Sequence, residues 1–352
     1  MKRTTLIFAV VSVLGVAAIS ASAQEANSKT TGLSQEPLAG KANQIPVPAA
    51  APTISISPVI LPSPGRPVPL QIRVTAPVTG KNLPVIILSH GHGNSNNLSS
   101  LNGYAPLADF WAAHGFLVIQ PTHLDSKALK MNPMGPGGPF FWRSRAQDIR
   151  QILDQLDLIE KAFPELKGRM DKGKIAVAGH SLGGFTASLL LGEEITDAKG
   201  EKINLADKRV KAGLLLSAPG NGGADLNPMM SKVFADYRPD FTTMTTPTLI
   251  IAGSNDVSAQ ETIRGADWHT DPYKFSTGAK CLITLSGGEH NLGGISGYDA
   301  AEAKDESPER VALVQRLSWA YIWSALHEGD QAWQKATLAF NQMNELGILS
   351  CK

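Results

Sequence analysis

The sequence predicts a doubly wound, mainly parallel α/β sheet with helices on both faces. Three observations lead there. From residue 84 onward, short apolar strand-like runs alternate with helical runs. Those strands are apolar almost without interruption, as expected when helices cover both sheet faces. No internal repeat interrupts 66–352, so that stretch is expected to be one domain. The 352 residues are 43% hydrophobic and 18% charged, enough apolar material for a full core. A net charge of +1 gives no electrostatic reason to expect nucleic acid as a partner.

Taken in chain order, residues 1–23 read as an export signal. Lys2 and Arg3 supply the positive start, Leu6 to Ile19 is apolar, and Ala21-Ser22-Ala23 is a small-x-small cleavage site. The apolar stretch falls short of the about 20 residues needed to span a bilayer. A periplasmic or secreted protein is therefore expected, with no stable membrane insertion after cleavage. Residues 24–65 are polar, then Ala- and Pro-rich, and read as a flexible tether. Within it, Ile54, Ile56, Val59, Ile60 and Leu61 suggest an extended lead-in to the domain. Leu70 to Val74 alternates apolar with polar and reads as an antiparallel strand.

Strands are then expected at 84–89, 116–121, 174–178, 212–217, 248–252 and 281–285. Helices are expected at about 104–114, 143–162, 182–192, 308–327 and 330–347. Ligands of such sheets bind beyond the carboxyl ends of the strands. Two long connections are placed to shape a pocket there. The loop 124–142 carries Met131, Met134, Phe140, Phe141 and Trp142, and the last three are candidate substrate-binding residues. The segment 218–246 is long enough for a partial cap, and the charged 192–210 reads as a solvated excursion. Cys281 and Cys351 are the two cysteines, free to form a disulfide in an oxidising compartment or to stay as buried thiols.

The chemistry is concentrated in KIAVAGHSLGGFTASLLL at 174–191. An apolar strand runs into Gly179-His180-Ser181-Leu182-Gly183, and a helical run follows. This is a Gly-x-Ser-x-Gly elbow in the strand–turn–helix context that it requires. The turn is so tight that its flanking positions must carry almost no side chain, which Gly179 and Gly183 satisfy. A serine hydroxyl is a weak nucleophile and needs a base, which in turn needs an orienting acid. In this architecture the acid and then the histidine follow the serine along the chain. Asp256 directly follows the 248–252 strand, whereas Asp225, Asp236 and Asp240 lie in the preceding loop. His290 follows the 281–285 strand in a Gly-rich loop. Among the other histidines, His123 sits at a strand end, His114 near a helix end, and His180 is read as packing locally. His269 and His327 have no catalytic context.

An oxyanion site needs two N–H donors. One is expected from Leu182, the residue after the nucleophile. The other is expected from LSHGHGN at 88–94, at His92, with Gly91 as close competitor. His90 and His92 also resemble the start of a metal site. No acid or thiol completes it nearby in sequence, so no metal and no organic cofactor is expected.

ILSHGHGNSNNLSSLNGYAPLADFWAAHGFLVIQPTHLDS, with GHSLGG downstream, resembles the α/β-hydrolases related to platelet-activating-factor acetylhydrolase and dienelactone hydrolase. Chlorophyllases and cutinase-like polyester hydrolases are similar neighbours. The resemblance covers about 66–328. It implies the α/β-hydrolase fold, Ser181 as nucleophile, Asp256 as acid, His290 as base, and main-chain donors from His92 and Leu182. Dienelactone hydrolases use cysteine where this chain has serine, which moves the expectation toward esters. His92 stands where the acetylhydrolases carry an apolar residue, so their lipid preference does not transfer. The expectation is an exported serine ester hydrolase acting on a small-molecule ester. A serine peptidase or amidase on the same scaffold is the rival, and a non-catalytic binding module a more distant one. Nothing in the sequence sets the oligomeric state.

Overall fold

A computed structural model describes residues 38–297, 300–302 and 304–352. The export signal at 1–23 and the first part of the tether lie outside the described residues. Along the chain run β1 (Thr53–Leu61), β2 (Leu70–Pro77), β3 (Leu83–Ser89), α1 (Ala105–Ala113) and β4 (Leu117–Pro121). Then come α2 (Trp142–Asp154), α3 (Leu156–Ala162), β5 (Met170–His180), α4 (Leu182–Leu191), β6 (Glu194–Thr196) and β7 (Lys202–Asn204). These are followed by β8 (Val210–Leu216), α5 (Pro228–Val233), β9 (Pro239–Asp240), β10 (Thr248–Gly253), α6 (Asp271–Phe275) and β11 (Ala279–Leu285). The chain closes with α7 (Pro308–Leu326), α8 (Ala332–Phe340) and β12 (Gly347–Cys351).

Nine strands form one sheet in the order β1-β2-β4-β3-β5-β8-β10-β11-β12. The six from β4 to β11 are parallel, and β1, β2 and β12 add antiparallel edges. Strand side chains alternate between two cores. Ile86, Leu88, Val118, Ala176, Ala178, Leu214 and Leu249 pack under α1, α7 and α8. Val85, Ile87, Leu117, Ile119, Val177, Leu215 and Ile250 pack under α2, α3 and α4. This two-sided burial is why the strands read as continuous apolar runs. Among the described residues no helix is long and apolar enough to cross a membrane.

The tether expected at 24–65 is folded over much of its described part. Thr53–Leu61 forms an edge strand on β2, and Ala42 and Ile45 are fully buried against the α7 side of the sheet. Arg316 of α7 donates to the Ile45 carbonyl at 2.8 Å. Ile45 and the strand's apolar positions give this segment the burial that a spacer lacks. The excursion at 192–210 also differs from expectation. β6, β7 and β9 make a second small sheet, and Ile195 is buried within it. The helix expected over 143–162 breaks at Gln155, and the break returns Leu156 and Ile159 to the core. The helix expected to reach 347 stops at Phe340, because the chain there turns back to pair with β11. That pairing sets Cys281 opposite Cys351, and the two are joined as a disulfide.

Candidate active site

Ser181 sits between β5 and α4 with φ 54° and ψ −124°, a left-handed strained conformation for a non-glycine residue. Its neighbours explain the glycines. A Cβ on Gly179 would lie 1.9 Å from the Gly183 carbonyl oxygen, and one on Gly183 would lie 2.1 Å from the Ser89 carbonyl oxygen. Close backbone approach therefore excludes any side chain at either position. The serine hydroxyl has no hydrogen-bond partner within the protein among the described residues. Leu182 opens α4, so its N–H is one of those that no helical carbonyl can accept.

Asp256 follows β10 and His290 follows β11, and the structure brings them together. His290 Nδ1 lies 3.0 Å and 3.1 Å from the two carboxylate oxygens of Asp256. With the carboxylate ionised, Nδ1–H donates and Nε2 is left as the basic nitrogen. Burial disfavours the charged imidazole, but the Asp256 charge and hydrogen bond outweigh it, and the His290 pKa is raised above the usual histidine value. Burial also pushes against the Asp256 charge. His290 and His269 reverse that and hold its carboxyl well below the usual carboxylate range.

His269 is the residue that sequence reasoning missed. It is fully buried, with Nδ1 2.9 Å from the Ala218 carbonyl and Nε2 3.2 Å from Asp256 Oδ1. Ser258 Oγ lies 3.1 Å from the same Nε2. Nothing local in sequence marks His269, because it reaches Asp256 from a short 3-10 helix, Ala266–Thr270, and not from a strand end. Asp256, His269 and His290 are also the one group of metal-type donors that converges among the described residues, within 4.8 Å. Their donor atoms are engaged with one another.

His180, read as packing locally, instead joins two loops. Burial and the neighbouring His290 charge lower its pKa to about 3, so the ring is neutral. Its Nε2–H donates to the His290 carbonyl at 2.7 Å, and Nδ1 accepts from the Tyr104 hydroxyl at 2.7 Å. The Gly91 N–H in turn donates to that hydroxyl at 3.0 Å. The Gly91 N–H is thereby committed elsewhere, whereas the His92 N–H has no hydrogen-bond partner among the described residues.

The His92 loop rests on a buried polar cluster. His92 Nδ1 is 3.0 Å from Asp125 Oδ2, and Arg145 Nη1 is 2.5 Å from Asp125 Oδ1. Arg145 is fully buried and also donates to Thr186 Oγ1 at 2.8 Å and to the His90 carbonyl. Burial disfavours the Asp125 charge, yet Arg145 and His92 keep its carboxyl below the usual range. His123 bridges Asp148 and Ser89, each at 2.9 Å, and burial drives its pKa far down. Glu302 fixes the other end of this loop by accepting from the N–H groups of Asn94 and Ser95 at 2.7 Å and 2.8 Å.

A cavity of about 60 Å³ opens at Ser181, lined by His92, Phe140, Leu182, Leu226, Phe234 and Trp268, among others. The 218–246 segment supplies Leu226, Met230, Phe234 and Tyr237, and so covers the serine as a partial cap. Of the three aromatic candidates, Phe140 reaches this cavity. Phe141 and Trp142 face a neighbouring groove instead. Asp225, Asp236 and Asp240 stay away from His290. Asp225 pairs with Arg264, Asp236 lies near Arg143, and Asp240 caps Thr242.

The tight turn at Ser181, the Asp256–His290 pair and the His92 loop share one end of the sheet. Comparison with known proteins agrees with that architecture. The chain is 28% identical over 150 residues to platelet-activating factor acetylhydrolase of Cavia porcellus, covering 33% of each chain. It is 27% identical over 177 residues to the Bos taurus protein of the same name, covering 40% of this chain and 36% of that one. The matched region thus spans about a third of these relatives' length. Residues 85–343 match the alpha/beta hydrolase family, and the chain belongs to that family of hydrolases.

Proposed function

We propose that the protein is an exported serine carboxylic ester hydrolase for short-acyl esters. The observation that carries this reading is the His290–Asp256 pair at 3.0 Å, set beside an elbow that holds Ser181 at positive φ. In this reading Ser181 Oγ attacks the ester carbonyl carbon while His290 Nε2 takes the hydroxyl proton. The N–H groups of His92 and Leu182 donate to the developing oxyanion. The imidazolium then protonates the leaving alkoxide as the C–O bond breaks, giving an acyl-serine and a free alcohol. Water, deprotonated by His290, attacks the acyl carbon, and the acid leaves as Ser181 is restored. The small volume at Ser181 and the acetylhydrolase name of the relatives both favour a short acyl group.

The test is hydrolysis of p-nitrophenyl esters from acetate to palmitate by wild type and Ser181→Ala. Turnover is expected to peak at short chains and to fall on the order of 10⁶-fold in the variant. A fluorophosphonate should label wild type and not Ser181→Ala. Comparable turnover in both proteins would overturn the assignment of Ser181.

A further inference from the structure

Beside the cavity at Ser181 lies a second, far larger one, of about 1220 Å³. Its walls are largely apolar, with Leu124, Phe141, Trp142, Ile203 and Leu205 among them. Two residues line both spaces, Phe140 and Phe234. Their rings lie 4.9 Å apart. Each is braced from behind, Phe140 edge-on to His92 at 5.6 Å and Phe234 stacked on Tyr237 at 5.1 Å. Aromatic pairs at these separations hold their geometry without being covalently fixed. Phe140 comes from the loop that leads into α2, and Phe234 from the end of α5, so the wall is built from two separate connections. Among the described residues that line the groove, Gln151 has a buried Oε1 without a hydrogen bond, an acceptor that rotation of its side chain would present to a ligand N–H or O–H.

We propose that this groove is a second compartment of the active site, and that the Phe140–Phe234 pair is the partition which confines the acyl group at Ser181. The ligand class is a bulky apolar group, alkyl or aromatic, carrying a hydrogen-bond donor. This rests on the ester-hydrolase reading for its kinetic consequence, but not for binding. The two spaces differ about twentyfold in volume, so removing one ring from the partition should change which esters fit more than how fast the chemistry runs.

The experiment measures kcat/KM for p-nitrophenyl decanoate relative to acetate in wild type, Phe234→Ala and Phe234→Leu. The ratio is expected to rise about tenfold or more in Phe234→Ala and by less in Phe234→Leu. The leucine variant preserves bulk in case the alanine variant does not fold. An unchanged ratio in a folded variant overturns the partition. Binding is read separately with N-phenyl-1-naphthylamine, an apolar fluorophore with one N–H, on Ser181→Ala. Its affinity is expected to fall about tenfold on adding Ile203→Trp, which puts a bulky ring into the groove. Undiminished affinity overturns the compartment. Should wild type turn over no ester at all, the ester reading fails, and the groove stands or falls on the fluorophore alone.

Discussion

Two imidazole–carboxylate pairs stand on either side of Ser181, and they are built differently. His290–Asp256 and His92–Asp125 both have separations of 3.0 Å and a buried acid. Asp125 also holds the fully buried Arg145, whose charge is permanent. Asp256 has no arginine or lysine partner among the described residues, only two histidines and a serine. The carboxylate with a fixed cation is balanced whatever happens nearby, so it serves to hold a loop. The carboxylate without one is balanced fully only when an imidazole takes up a proton, so it serves a proton-transfer cycle. The same pair of side chains thus becomes scaffold or machinery according to whether a guanidinium is present.

The contrast can be broken by experiment. Asp256→Asn is expected to have the largest effect, a loss in kcat on the order of 10⁴-fold, since the imidazole loses the carboxylate charge that fixes its tautomer. The sign of the pH effect follows from the electrostatics. The Asp256 charge favours the imidazolium and raises the His290 pKa. Removing that charge lowers the pKa, so the acidic limb of the kcat/KM profile should move to lower pH. A limb that stays in place would show that Asp256 is scaffold after all.

Arg145→Met probes the other pair and should act on stability. It leaves Asp125 buried without its cation, at a cost of about 3–5 kcal/mol. That corresponds to a Tm lower by about 10 °C in a thermal melt. Residual turnover should keep its acidic limb where wild type has it. A Tm within a degree of wild type would mean that the guanidinium is not what stabilises the His92 loop. The smallest effect is expected from His269→Leu, which removes one of the two imidazoles on Asp256. Loss of one hydrogen bond to a charged group predicts a drop in kcat on the order of tenfold with KM held. A change confined to KM would place His269 in substrate binding instead.

Sequence legibility follows the same division. The parallel strands were readable because two-sided burial leaves an unbroken apolar run, as in Thr248–Gly253. Ser181, Asp256 and His290 were readable as candidates because each directly follows such a run. The cluster of Asp125, Arg145, Asp148 and His123 was not. Its members pair across 20 to 25 residues of chain, and none stands in a distinctive local pattern. His269 was passed over for the same reason. The apolar residues of 54–61 made an extended lead-in legible despite the recurring prolines, but not its pairing as an edge strand on β2, with Val59 and Leu61 buried. Phe140 could not be told from Phe141 and Trp142, because which ring reaches the serine depends on how the loop enters α2 at Phe141, whose φ is 50°.

The chain of hydrogen bonds from Gly91 through Tyr104 and His180 to His290 has a consequence for motion. Each link points one way, from donor to acceptor. If the histidine loop lifts, His180 loses its acceptor, the link that ties the series to His290. The two loops that flank the serine are therefore tied in series, and exchange of the Gly91 amide would report whether excursions of the histidine loop travel along that series.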